Sequence, residues 1–208
     1  RSGDKKAKEE YALMEKVKAH LEKNLPIRTL EVTEEEEELI KGLFLITSKP
    51  VLYACNISED DMMEGNTNNE YVQKVRAHAE SENSEVVVVC AKLEEELSGL
   101  EDEEKQEMLS EYGLIESGLD KLIRASYKLL GLISYLTAGV QEVRAWTIKE
   151  GTKAPQAACK IHSDIERGFI RAEIVSYNDL VECGSEAAAK EKGLYRLEGK
   201  EYVMKDGD

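Results

Sequence analysis

Apolar residues first recur along this chain in a helical rhythm. Leu13, Val17 and Leu21 are spaced for one face of an amphipathic helix reaching about Lys23. Pro26 closes it, and residues 27–32 read as a short extended piece. Thr33 with Glu36 has the spacing of a capping box, while Glu34 to Glu38 oppose the positive end of the next helix and read as a solvated face. Leu39, Ile40, Leu43 and Phe44 are its expected buried stripe.

From Lys49 the rhythm changes. Pro50 opens an apolar run, Val51 to Cys55, too short for a stable helix and therefore a strand, which stops on Asn56. Ser58 with Asp61 marks a helix cap, and Tyr71, Val72, Val75 and Ala79 predict an amphipathic helix over Tyr71 to Glu82. Glu85 to Cys90, EVVVVC, reads as a strand covered on both faces. Strand, helix and strand make a βαβ crossover with parallel strands. Open parallel sheets bind ligands just past the C-terminal ends of their strands, so Asn56 is placed to touch one. An Asn there is also a common turn former.

The segment Glu94 to Glu111 carries nine acids and one lysine and predicts two short helices, buried through Leu93, Leu97 and Leu100, then Met108, Leu109 and Tyr112. Gly113 ends the second, and Ser117 with Asp120 caps a helix over Gly118 to Leu130, with Leu119, Leu122, Ile123, Tyr127 and Leu130 facing inward. LISYLTAG and EVRAWTI then predict two strands joined by a tight turn at residues 138–141. A Gly-Thr-Lys-Ala-Pro turn, a helix over Pro155 to His162 and a strand GFIRAEIV complete a β-grasp pattern, a sheet with one helix across it. Alternation puts Phe169 with Arg171 on one face of that strand and Ile170 with Ala172 on the other, so one large apolar group lies at the surface or at a contact. YVMKDGD reads as a strand and a turn into another, which leaves one sheet edge unpaired.

Composition bounds the function. With 208 residues, 41% hydrophobic and 34% charged, the chain can bury a sizeable core in two or three units. A formal net charge of -15 excludes a nonspecific nucleic-acid coat. The imbalance is local, with 17 basic against 30 acidic residues in 1–140 and 11 against 13 from 141 onward. Only the C-terminal part is therefore suited to meet RNA, through Lys149, Lys153, Lys160, Arg167 and Arg171, with Trp146 and Phe169 available to stack. Cys55, Cys90, Cys159 and Cys183 form no CxxC pair, which fits a reducing compartment better than a disulfide framework or a zinc site. No apolar run approaches membrane-spanning length and no secretory signal opens the chain, so it is expected in the cytoplasm and away from membranes. His162 has no paired nucleophile or metal-ligand spacing and reads as a turn-stabilising residue rather than a catalytic one. No GxxxxGKS stretch occurs, so no catalytic residue, phosphate cradle or metal ligand is assigned.

The pairing of PVLYACNISE with VVVVCAKLEEEL, followed by SGLDKLIRASYKLLGLISYLTAG, EVRAWTIKEGTKAPQAA and IHSDIERGFIRAEI, resembles the YchF family of Obg-like P-loop ATPases over essentially the whole chain. The resemblance implies an α/β P-loop NTPase remainder with a helical arm, followed by an α+β β-grasp (TGS) domain. Residues 1–32 would be the returning arm of a helical coiled-coil insertion with a linker, 33–131 the C-terminal part of the ATPase domain, and 132–208 the TGS domain without its last strand. The chain is then expected to be the C-terminal portion of a longer protein and inactive without its P-loop part. Ile161 to Ile165, IHSDI, match the TGS signature.

P-loop GTPases read guanine with an Asn-Lys-x-Asp loop after this strand, the acid accepting from two guanine N–H groups. The resemblance places Asn56, Ile57, Ser58 and Glu59 there. Glu59 is one methylene longer than Asp, Ile57 supplies no ammonium, and an Asn amide can accept from adenine N6 and donate to N7. The loop therefore favours ATP over the alternative, GTP. Cys90, Ala91 and Lys92 stand where relatives bring backbone N–H groups to the base, although Cys90 reads equally as a small buried hydrophobe. The implied nucleotide-binding set is Asn56, Ile57, Glu59, Cys90 and Ala91. For the complete protein the resemblance implies ATP hydrolysis with magnesium, ribosome or RNA as partner, and a monomer. The alternative is a non-enzymatic RNA- or protein-binding module acting through the TGS domain.

Overall fold

The computed structural model describes residues 5–139 and 141–208 and divides into two compact units, one ending at Ala125 and one spanning Ser126–Asp208. The expected start of the first helix before Lys5 and the centre of the expected turn at Val140 lie outside the described residues.

In the first unit, α1 (Lys5–Leu21) buries Leu13 and Val17 against Ile27 and Ile40, whereas Leu21 lies at the surface. The piece after Pro26 is not extended throughout: Ile27–Thr29 closes a 3₁₀ turn, with the Thr29 hydroxyl donating to the Pro26 carbonyl at 2.8 Å. The capping box of α2 (Glu34–Lys41) forms in both directions, Thr33 accepting from the Glu36 N–H and Glu36 from the Thr33 N–H. The helix stops before Gly42, a poor helix former, so Leu43 and Phe44 leave the expected stripe. Phe44 is 79% exposed, at a positive φ of 52°.

Strands β1 (Leu52–Asn56) and β2 (Glu85–Val89) pair in parallel, in register from Leu52 opposite Glu85 to Asn56 opposite Val89. Between them lie α3 (Glu59–Met63), capped by Ser58, and α4 (Glu70–Ser81), capped by Asn69. Val72 and Ala79 are the buried positions of α4, while Tyr71, at its first turn, is exposed. The expected cover on both faces of β2 is partial: Val87 is buried, Val88 on the opposite face packs against the core of Ile57, Cys90 and Leu93, Val89 lies against Gly118, and only Glu85 is exposed. Arg28 reaches from the 3₁₀ turn to Glu82 past α4 at 2.7 Å, and the Tyr53 hydroxyl of β1 donates to the same carboxylate at 3.0 Å.

The acidic segment forms α5 (Ala91–Leu97) and α6 (Asp102–Glu111), whose Leu93, Leu97 and Leu109 close a core with Ile57, Met62, Val72 and Cys90. In α7 (Gly118–Leu129) most of the expected inward stripe lies outside: Leu119, Ile123, Tyr127 and, just past the helix, Leu130 are exposed, Leu122 is half-buried, and Gly118 and Ala125 are buried. Gly118 is needed because a Cβ there would stand 3.1 Å from a Val89 methyl and 2.9 Å from the Glu94 carboxylate. That carboxylate accepts from the Gly118 and Leu119 N–H groups at 2.6 and 3.1 Å, capping the helix.

In the second unit, β3 (Leu132–Ala138) and β4 (Val143–Lys149) form an antiparallel pair. Helix α8 (Ala154–Ile161) presents Ala154, Ala157 and Ala158 to Tyr135, Ile148, Phe169, Ile174 and Met204, and the Tyr135 hydroxyl donates to the Ala157 carbonyl at 2.8 Å. The expected strand GFIRAEIV is broken. Gly168 ends an additional helix, α9 (Ser163–Gly168), and strand β5 (Ala172–Ile174) begins only after Arg171. Phe169 is buried there and Ile170 is 78% exposed. Helices α10 (Tyr177–Cys183) and α11 (Glu186–Glu191) lead to β6 (Arg196–Glu198), antiparallel to β5. The expected open edge is partly taken: the Gly207 N–H donates to Ser134 and the Leu136 N–H to Asp208, both at 2.8 Å. The Asp208 carboxylate holds that tail by accepting from Tyr202, Arg196 and the Lys205 N–H.

Candidate functional site

Parallel pairing brings the ends of β1 and β2 side by side, because equal register carries both chains to one edge. The ladder runs on to the Ile57 N–H, which donates to Val89 at 2.9 Å. Asn56 then crosses the gap: its Oδ1 accepts from the Ala91 N–H at 2.9 Å. A backbone N–H is only a donor, so this bond fixes the amide orientation and leaves Nδ2 as the free end. Oδ1 keeps a second lone pair, so this bond is compatible with the N6 and N7 reading expected of Asn56.

Glu59, the first residue of α3, folds across the same edge. Its Oε1 accepts from the Tyr112 hydroxyl at 2.6 Å, and its Oε2 accepts from the Lys92 ammonium, which also stands 3.9 Å from Glu96. The Lys92 bond, then the Tyr112 bond, hold the Glu59 carboxyl below its usual range. In return the carboxylate raises Lys92 and pushes the Tyr112 phenol up to about 12. Ile57 and Cys90 lie beneath this polar edge, 7% and 1% exposed, so their side chains form its floor and only their backbone can meet a ligand. Ala91 is exposed.

The spacing of the sequence did not reveal two partners of this edge. Tyr112 reads as one more apolar position of α6, and the available signal was its hydroxyl, since a buried phenol needs an acceptor. Glu94 reads as one acid in an acidic run, yet it caps α7.

The basic residues of the second unit stand apart along several elements. Lys149 ends β4, Lys153 caps α8 and pairs with Glu201, Lys160 sits in the last turn of α8, and Arg167 lies in α9. Arg171 is exposed just before β5. The stacking role expected of Phe169 fails because its ring is in the core. Trp146 stacks on Tyr135 at 6.5 Å, carries Arg144 over its ring at 4.2 Å and donates to Thr137. His162 accepts from the Asp164 N–H at 3.2 Å and caps α9, a turn-stabilising role. Among the described residues no group of three or more His, Cys, Asp or Glu side chains could hold a metal ion. No helix among them is long and apolar enough to cross a membrane.

Residues 132–208 match the family YchF-GTPase_C, described as a protein of unknown function (DUF933). The chain is 57% identical over 205 residues to the ribosome-binding ATPase YchF of Bacillus subtilis (strain 168), covering 99% of this chain and 56% of that protein. It is 49% identical over 208 residues to the protein of the same name from Escherichia coli O157:H7, covering 100% and 56%. The structure of the Schizosaccharomyces pombe YchF GTPase superposes over 100% of this chain and 56% of its own, with a TM-score of 0.85 and 40% identity. The chain thus spans about half the length of the relatives it matches, with a mixed helix and strand fold like theirs. By these similarities, which cover its whole length, the chain belongs to the YchF family.

Proposed function

We propose that the paired ends of β1 and β2 are the base-reading part of a purine nucleotide site, in a protein that binds and hydrolyses ATP when its phosphate-binding residues are present. The observation that carries this reading is the bond from the Ala91 N–H to Asn56, which ties two parallel strand ends together and leaves one amide donor free. A purine N7 is an acceptor in both adenine and guanine, so Nδ2 of Asn56 suits either base. Curated relatives carry the name ribosome-binding ATPase, and the fission yeast structure is called a GTPase. ATP is the preferred substrate in this reading and GTP the weaker one, because Glu59 is engaged elsewhere. Residues 33–131 act as the ATPase part and 132–208 as a TGS-like β-grasp domain. A ribosomal or RNA partner in the cytoplasm meets the exposed cations of the second unit. Magnesium would be held by residues outside this chain.

Isothermal titration of the whole protein tests the reading. ATP is expected to bind more tightly than GTP, and Asn56→Ala to weaken ATP about tenfold, the scale of one lost hydrogen bond to a base. Unchanged ATP affinity in Asn56→Ala would remove this edge from the site.

A further inference from the structure

Donation from Asn56 Nδ2 to N7 would suit adenine and guanine alike, so a second polar group on the edge can weigh the choice. That group is Glu59, and both of its oxygens are engaged: Oε1 by the Tyr112 hydroxyl at 2.6 Å, Oε2 by the Lys92 ammonium. The three side chains come from the start of α3, the second residue of α5 and the end of α6. They converge only in the folded chain.

We propose that Tyr112 and Lys92 are positioning residues that set base specificity, by holding the Glu59 carboxylate away from the Watson–Crick edge and so tilting the site from guanine to adenine. This rests on the base-site reading above.

The chemistry is specific. Guanine offers its ring N1–H and its 2-amino group together, and a carboxylate reads that pair only when both oxygens face it. Turning Glu59 toward guanine would break two hydrogen bonds involving a charged group, which are roughly twice as strong as neutral ones, and leave the half-buried Tyr112 hydroxyl without its acceptor. Adenine presents an unprotonated N1 at the same place, and an ionised carboxylate facing it would meet a lone pair. Holding Glu59 aside therefore removes an attraction for guanine and a repulsion for adenine.

The test uses the whole protein with Tyr112→Phe and Lys92→Met, singly and together, titrated with ATP and with GTP. Phe keeps the ring that packs beside Leu109, and thermal melting confirms the fold. The ratio of the GTP to the ATP dissociation constant is expected to fall about tenfold in the double variant, the low end of what one bidentate base contact discriminates. Adding Glu59→Ala to the double variant should abolish that gain. An unchanged ratio, or equal weakening of both nucleotides, would reduce Tyr112 and Lys92 to packing and surface pairing and overturn the proposal. If Asn56→Ala leaves ATP binding intact, the base-site reading fails and takes this role with it. If Asn56→Ala matters and the ratio stays fixed, only the role of the two positioning residues falls.

Discussion

The two strand pairs, β1 with β2 and β3 with β4, end in different chemistry. At the end of the parallel pair, Asn56, Glu59, Lys92 and Tyr112 converge through side-chain bonds across 33 to 53 residues of sequence, over a floor of Ile57 and Cys90. The antiparallel pair in the second unit is held by apolar packing on the alanine face of α8, and its exposed cations are spread over β4, α8, α9 and the approach to β5. Convergent polar groups define a position for a small ligand, whereas dispersed charges define only a surface. That difference is why a nucleotide base is proposed for the first unit and a larger partner for the second.

The comparison breaks most sharply at Leu93, which is 1% exposed beneath the polar edge. Leu93→Ala should cost about 2–5 kcal/mol and lower Tm by roughly 6 °C or more. Trp146 is the single tryptophan and lies in the second unit, so its fluorescence is expected to shift less on heating this variant than far-UV circular dichroism does. Equal shifts in both signals would show that the units do not differ in this way.

A smaller effect follows from pH. Glu82 is held below the usual carboxylate range chiefly by Arg28, and Glu59 chiefly by Lys92. A carboxyl depressed in the folded state adds stability that is fully present above its unfolded value of about 4.3 and is lost as pH falls through the lower folded value. Tm should therefore decline below about pH 4.5. Glu82→Gln should flatten that decline, and an unaltered acid slope would mean that Glu82 contributes none of it.

Much of the first unit was legible in the sequence. The capping box at Thr33 and Glu36, the cap at Ser58 and the parallel pairing depend on local spacing and on chain connectivity, and both are written in residue order. Side-chain destinations were less legible. Spacing shows that Leu119, Ile123 and Tyr127 share one face of α7, yet it does not say that Leu119 and Ile123 stay exposed while Gly118 meets Val89. The candidate site divides the same way. Asn56 and Glu59 stand out from the strand end and the family pattern, but the orientation of the Asn56 amide is decided by an N–H 35 residues away. The engagement of Glu59 by Tyr112 spans 53 residues and leaves no periodic trace.

Asn56→Asp separates the strap from the reading. Aspartate keeps an oxygen for the Ala91 N–H and replaces the free amide donor with a second acceptor facing N7. Calorimetric titration of the whole protein with ATP should then show affinity at least about tenfold weaker than in the unmodified protein, with Tm little changed. ATP binding as tight as before in a folded Asn56→Asp protein would contradict the claim that these strand ends read a purine.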